Sequence, residues 1–329
     1  MTAAVRPGRP AAAEQVVRLF RERPVIPLLG LLVALILVYE TVRPGVVSPD
    51  WFGVIVRAAI PLAILAGCQT LTMLTGGIDL SVGAVASMSG FVTATFVASA
   101  GGWQLGLAIG LVAALLAGVV SGVGVGVFRV HPLIMTLGVS LVVLGLSNAW
   151  QLATVTSSTG VPAELRTLGS DRFFGVLPYS IVVFVPLAVA ILVGLRRTGY
   201  GRLLFAIGDN PVAARLSGAR SWQVLTALYA ISALMAAVAG FILTGLTNVA
   251  SVTLADSLVL PSVAAAVIGG TSIAGGRGGY GGTIVGTLVL QVASALLTAL
   301  GQPEAVRQIL FGSIVVVVAA AYTRVTAEA

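Results

Sequence analysis

Residues 53–99 read GVIVRAAIPLAILAGCQTLTMLTGGIDLSVGAVASMSGFVTATFVAS. Two apolar lengths, 53–75 and 80–99, flank a short break, Gly76-Gly77-Ile78-Asp79. Each length is close to the about 20 residues that carry a helix across a bilayer. The break between them holds two glycines and an acidic side chain. Non-helical backbone at membrane depth survives only where protein buries it or where it lines a water-filled cavity. This stretch therefore predicts a helical membrane protein with an interrupted span.

The rest of the chain repeats the pattern. Of 329 residues, 58% are hydrophobic and 9% charged, and the mean hydropathy is +1.07. An average soluble domain is about 25% charged, so a soluble globule, a disordered chain and a nucleic-acid-binding domain are excluded. Apolar segments fall near 25–42, 53–75, 80–99, 104–127, 132–152 and 179–195. Four more follow at 222–246, 260–274, 282–300 and 306–323. The expected fold is an all-α polytopic membrane protein of about ten transmembrane helices with broken, glycine-rich segments. Its membrane domain is 25–323, with polar tails at 1–24 and 324–329.

Charge sets the expected orientation. The net charge is +7, and every basic residue except His131 is arginine. Arg6, Arg9, Arg18, Arg21 and Arg23 place the N-terminal tail in the cytoplasm by the positive-inside rule. Alternating ten spans from there puts Arg129, Arg277, Arg324 and the arginine-rich loop 196–221 inside, with 153–178 as the longest outer loop. Trp51, Trp103 and Trp150 near span ends read as interfacial anchors. The absence of lysine has a consequence of its own. The phosphate-binding loop of nucleotide hydrolases requires one, so no nucleotide cofactor is expected on this chain, and an ATP-driven step belongs to a partner subunit. The single Cys68 lies in an apolar run and reads as a small buried residue, without a disulfide or a thiol metal site. His131, before Pro132, reads as a helix start; a proton relay would require acidic partners that the spans lack.

Two segments break the helical pattern: 74–83 and the run from Gly269 to Gly282. Gly76, Gly77, Asp79, Ser81, Gly269 and Gly270 are the candidates for the translocation pathway. For Asp79 three readings stand together. It caps a helix starting at Leu80 by accepting from the N–H of Ser81 or Val82; it acts in translocation, as intramembrane charges often do; or it pairs with Arg277.

The inner loop 196–220, RRTGYGRLLFAIGDNPVAARLSGAR, is the most distinctive polar stretch. Asp209 or Asn210 caps a short helix with Pro211 in its first position, running through Ala213, Ala214 and Arg215 to stop at Gly218. Such an element fits a groove on a partner or anchors the loop at the interface. Small Ala213 and Ala214 would admit close insertion, and Arg215 would meet a carboxylate. In the outer loop, Glu164, Arg166, Asp171 and Arg172 form a mixed-charge surface suited to transient docking, or an ordinary solvated loop.

This loop, together with LTGGIDLSVGAV at 74–85, HPLIMTLG at 131–138 and VIGGTSIAGGRGGYGGTIVG at 267–286, resembles the ribose-type sugar permeases of ABC importers, in the branched-chain amino acid/ribose permease superfamily. All four stretches occur in order across about residues 28–322. The resemblance implies a pore made by two permease subunits, a second copy or a close paralogue. It also implies ATP-binding cassette subunits that hydrolyse ATP while this chain catalyses nothing, and an extracytoplasmic sugar-binding protein. It implies a place in the bacterial plasma membrane with both termini cytoplasmic. It further makes 196–221 a coupling loop, with Arg202, Gly208, Asp209, Asn210, Ala213, Ala214, Arg215 and Gly218 as its working residues. His131 departs modestly from the pattern, and the loop differs from the EAA motif of maltose-type permeases. A secondary transporter or a channel for a small polar solute is the alternative. The first would usually carry ionisable groups in its spans, where Asp79 stands nearly alone. The second would need a charged or carbonyl filter.

Overall fold

A computed structural model describes residues 25–97, 102–154 and 160–327. The expected tail 1–24 and the last two residues, 328–329, lie outside the described residues. The elements in chain order are α1 (Val25–Val42), α2 (Pro49–Met73), α3 (Val82–Thr95), α4 (Gly102–Gly126), α5 (Pro132–Thr154) and α6 (Ala163–Ser170). A two-stranded hairpin of β1 (Arg172–Phe173) and β2 (Leu177–Pro178) follows, pairing Arg172 with Pro178 and Phe173 with Leu177. Then come α7 (Ile181–Arg197), α8 (Gly199–Asp209), α9 (Pro211–Leu216), α10 (Ser221–Thr247), a 3-10 turn (Asp256–Leu258), α11 (Val259–Ile268), α12 (Tyr280–Ala299) and α13 (Glu304–Ala327).

The chain is an all-α polytopic membrane protein. Among the described residues six helices, α1, α2, α4, α5, α10 and α12, are long and apolar enough to cross a bilayer, and a seventh is added if α7 and α8 count as one span bent by 68°. This count does not confirm the ten spans that hydropathy suggests. The expected span 80–99 is the 14-residue α3, and the expected span 260–274 contains only the 10-residue α11. At 1.5 Å per residue they reach about 21 and 15 Å, against about 30 Å of hydrocarbon. Hydropathy counts apolar residues, and it missed that residues 269–274 belong to the glycine-rich break rather than to α11.

The middle of the bundle is α10, packed on α2, α3 and α4, with α3 also against α4. Almost every side chain of α3 is buried. Its buried polar residues are satisfied: Ser89 donates to the Val85 carbonyl and Thr93 to the Ser89 carbonyl, each at 2.8 Å, and Ser87 Oγ accepts from Ala255 N at 2.9 Å. In lipid, helices associate through close packing of small residues rather than through expulsion of water. The α4 sequence provides this every fourth position: Gly106, Gly110, Ala114, Gly118 and Gly122 are all buried. The first two meet α3 at Thr93 and Ser89; the last two meet α10 at Tyr229 and Thr226. A Cβ at Gly118 would fall 2.5 Å from the Tyr229 carbonyl oxygen, so α4 cannot seat there with a side chain. Gly118→Leu is expected to cost about 1–3 kcal/mol or more by overpacking. It should lower both the yield and the melting temperature of the detergent-purified protein. Gly145→Leu on α5, where nothing lies within 4 Å, should change neither.

At the periphery, α1 presents Leu29, Leu31, Val33, Leu37 and Val38 outward, as a lipid-facing helix does. The turn into α2 is held by Glu40, whose carboxylate accepts from Gly45 N at 2.6 Å and Val47 N at 3.1 Å. Trp51 corrects the expectation of an anchor: it is 8% exposed and packs on Tyr39 with ring centroids 5.0 Å apart. Trp150 is 37% exposed, stacks on Phe96 and donates to Thr95. Cys68 is buried, with its thiol donating to the Ser232 carbonyl.

Candidate functional site

The break after α2 is held from several directions. Gln69, one turn before the helix end, grips the Asp79 backbone twice: Nε2 donates to the carbonyl at 2.7 Å and Oε1 accepts from the N–H at 3.2 Å. Thr136 of α5 reaches across to donate to the Ile78 carbonyl and accept from Leu80 N. Backbone groups that a helix would satisfy internally are thus satisfied by side chains, as the apolar surroundings demand.

Asp79 is 2% exposed. Its Oδ1 accepts from Ser81 N at 3.0 Å and Ser81 Oγ at 2.6 Å, and its Oδ2 accepts from Ser232 Oγ of α10 at 2.9 Å. The helix it precedes starts at Val82, two residues later than expected, with Ser81 as the boundary residue. Arg277 is exposed and is not the partner of this buried carboxylate. Ser81, Gly77 and Gly269 are also buried, whereas Gly76 and Gly270 are exposed. Gly269 lies against Thr283 and Gly282 at the start of α12. These six positions are therefore embedded in helix packing for the most part, with their two exposed members at the ends of the breaks.

The second polar centre lies at the N-terminal end of α10. Thr198 caps α8 by accepting from Gly201 N at 3.1 Å. α8 then buries Leu204 and Ile207 and leaves Arg202 in solvent. Asp209 is the last residue of α8, so the cap of α9 is Asn210, whose Oδ1 accepts from Val212 N at 3.0 Å and Ala213 N at 2.9 Å. Pro211 opens α9, and Gly218 at φ +88° turns the chain toward α10. Ala213 and Arg215 are exposed, but Ala214 is 7% exposed and faces the protein. That corrects the expected inserting face. The free apolar side chains are Val212, 54% exposed, and Leu216, 85% exposed, one helical turn apart. A cleft of ≈ 550 Å³ opens between α8, α9 and the start of α10, lined in part by Asn210, Ala213, Ala214, Arg220 and Gln223.

The third centre is at the opposite end of α10. α6 seats on it where Ser170 Oγ donates to the Gly245 carbonyl at 2.8 Å. Glu164, Arg166 and Asp171 are exposed. Arg172 is held by Asp50 at 3.5 Å, so part of its charge is already answered within the chain. The residue that sequence reading missed is Phe174, 99% exposed at the hairpin tip with φ +50°. The signal was its place between Phe173 and Gly175, next to a turn-forming glycine. Residues 155–159 of this loop lie outside the described residues.

A multi-pass helical bundle with interrupted spans, a capped surface helix at one end of its central helix and a folded loop at the other is the architecture of a transport permease subunit. The chain belongs to the family described as branched-chain amino acid transport system / permease component, whose model matches residues 52–319. It is similar to the ribose import permease protein of Bacillus subtilis, with 33% identity over 293 residues covering 88% of this chain and 90% of that protein. It is similar to the fructose import permease protein of Rhizobium meliloti, with 31% identity covering 90% of this chain and 84% of that one. A probable ABC transporter permease protein of Escherichia coli shares 33% identity over 89% of this chain and 87% of its own length. No solved structure matches the chain.

Proposed function

We propose that this chain is the pore-forming subunit of an ATP-driven importer of a monosaccharide in the ribose or fructose class. The single observation that carries the coupling is α9: a capped helix with Val212 and Leu216 left uncovered in a chain that has no lysine for a phosphate-binding loop. Its free face is the seat of an ATP-binding cassette subunit. The opposite end of α10, with Glu164, Arg166 and Asp171 exposed and Phe174 at the hairpin tip, is the seat of an extracytoplasmic sugar-binding protein. A second permease copy or close paralogue completes the pore in the bacterial plasma membrane. Both termini and α9, with Arg196, Arg197, Arg202, Arg215 and Arg220, lie on the cytoplasmic side, in keeping with the positive-inside rule. The sugar class is supported by the printed functions of the ribose and fructose import permeases.

The mechanism needs two discrete states that the partners bind differently. Nucleotide-driven closure of the cassette subunits displaces α9, the two permease halves rearrange, and sugar released by the binding protein passes between them. The test is uptake of labelled ribose and fructose by proteoliposomes containing the permease with its cassette subunit. Uptake is expected only with internal ATP and external binding protein. Uptake that runs on a proton or sodium gradient without ATP would establish the secondary-transporter alternative instead.

A further inference from the structure

Three chain segments far apart in sequence meet at one point with no side chains between them. The turn after α2 donates nothing there but presents the Leu74 carbonyl, which accepts a hydrogen bond from Gly276 N at 3.0 Å. Leu74 is fully buried. Gly208, one residue before the end of α8, lies directly on this hydrogen bond: a Cβ there would run into the Leu74 carbonyl oxygen and would sit 2.5 Å from Gly276 N. A Cβ at Gly275 would lie 2.9 Å from the Gly208 carbonyl oxygen and 3.0 Å from Gly76 N. One at Gly276 would lie 3.1 Å from the Asp209 Cα. Gly76, Gly208, Gly275 and Gly276 thus let three backbones touch, and two residues beyond Gly208 the chain becomes the cap of α9.

The two glycine-rich breaks are therefore joined to each other and to the base of α9. Contact between backbones has no rotamers to absorb a displacement, and close-packed interiors transmit strain. The junction also continues inward. One turn before Leu74, the Thr70 hydroxyl hydrogen-bonds Thr283 of α12 at 2.6 Å, and Gln69 holds Asp79. We propose that this four-glycine junction is where motion of α9 enters the membrane core, with Gly208 as its positioning residue. The proposal rests on the reading of α9 as the seat of the cassette subunit. Energetic coupling requires a contiguous element that both sites bias, and here that element runs from α9 through Gly208 to both breaks.

The experiment uses the reconstituted complex of permease, cassette subunit and binding protein, and reads three quantities: copurification of the cassette subunit, ATP hydrolysis, and sugar delivered per ATP. Gly208→Val leaves the exposed face of α9 intact, so copurification should persist while sugar per ATP falls about tenfold or more, the scale of an allosteric coupling. Gly199→Ala at the other end of α8, where an added Cβ meets only the Arg202 side chain at 3.7 Å, should leave that ratio unchanged. A normal ratio in Gly208→Val, or an equal loss in Gly199→Ala, overturns the proposal. Failure of the unmutated chain to retain the cassette subunit overturns the reading of α9 instead. A second arm stands even if Gly208→Val does not fold. Asp209 and Arg277 are both exposed and the native Cys68 is buried, so spin labels on Asp209→Cys and Arg277→Cys leave all four glycines in place. If the junction transmits motion, the two segments move together, and the distance between the labels should be the same in the complex with and without ATP. A distance that changes on adding ATP would mean that α8 slides across the loop, and the proposal fails.

Discussion

Leu216→Asp is expected to abolish stable association with the ATP-binding cassette subunit while leaving the permease folded. Leu216 is 85% exposed and Val212, one turn earlier, 54% exposed, so Leu216 adds little to packing within the chain. Fully burying a leucine side chain against a partner is worth about 1.5–3 kcal/mol. An aspartate there forfeits that gain and adds a carboxylate that the contact would have to desolvate. A loss of about 2 kcal/mol or more, as at an interface hot spot, is roughly 30-fold or more in Kd. The check is copurification of the cassette subunit and stimulated ATP hydrolysis, beside an unchanged melting temperature of the isolated permease. Wild-type recovery of the cassette subunit with Leu216→Asp would remove α9 from the interface. Ala214, which the sequence offers equally, is the wrong residue for this test. It is buried, so enlarging it would disturb how α9 sits and blur a binding defect with a packing one.

Asp79 carries the second large effect, in the opposite sense: the fold should be damaged and the charge itself should prove dispensable. Both carboxylate oxygens are occupied by Ser81 and Ser232. Asp79→Ala strands these donors, at about 1–3 kcal/mol for each left unsatisfied, and loosens the tie between the break and α10. Uptake and melting temperature should fall together. Asp79→Asn has the same shape, and its amide oxygen can still accept from Ser81 while its NH₂ donates to the Ser232 hydroxyl. It should keep uptake within about twofold of the unmutated chain, because the same hydrogen-bond positions remain filled. Normal stability with lost uptake in Asp79→Asn would show that the charge acts in translocation.

Several elements were legible without coordinates because their physics is local. The Asn210-Pro211 start and Gly218 stop of α9 depend on groups within a few residues of one another. The small-residue period of α4, Gly106 through Gly122, stands in the sequence as well. The lengths of α3 and α11 were not legible. Residues 80–99 and 260–274 carry no charged side chain, and a transfer scale has no means of telling a spanning helix from a short one buried among others. The anchoring role expected of Trp51 failed for a related reason. Its indole could meet either the interface or Tyr39, and only the α1–α2 turn decides between them.

The sequence by itself determined the solvent of this protein, its family and the position of its capped surface helix. Each depends on residue type and near neighbours: apolar length sets membrane insertion, and a cap is made within one turn. Only the tertiary structure decided which side of α9 is free. Val212, Ala213, Ala214 and Leu216 are all apolar, so their order holds no amphipathic contrast, and it is the seating of Ala214 that leaves Leu216 outside. The tertiary structure also decided that Asp79 answers Ser232 rather than Arg277, and that Leu74, Gly208 and Gly276 share one point. Glycine carries no pattern by which its partner could be read. Where it permits backbones to touch, the partner is fixed by how whole helices pack.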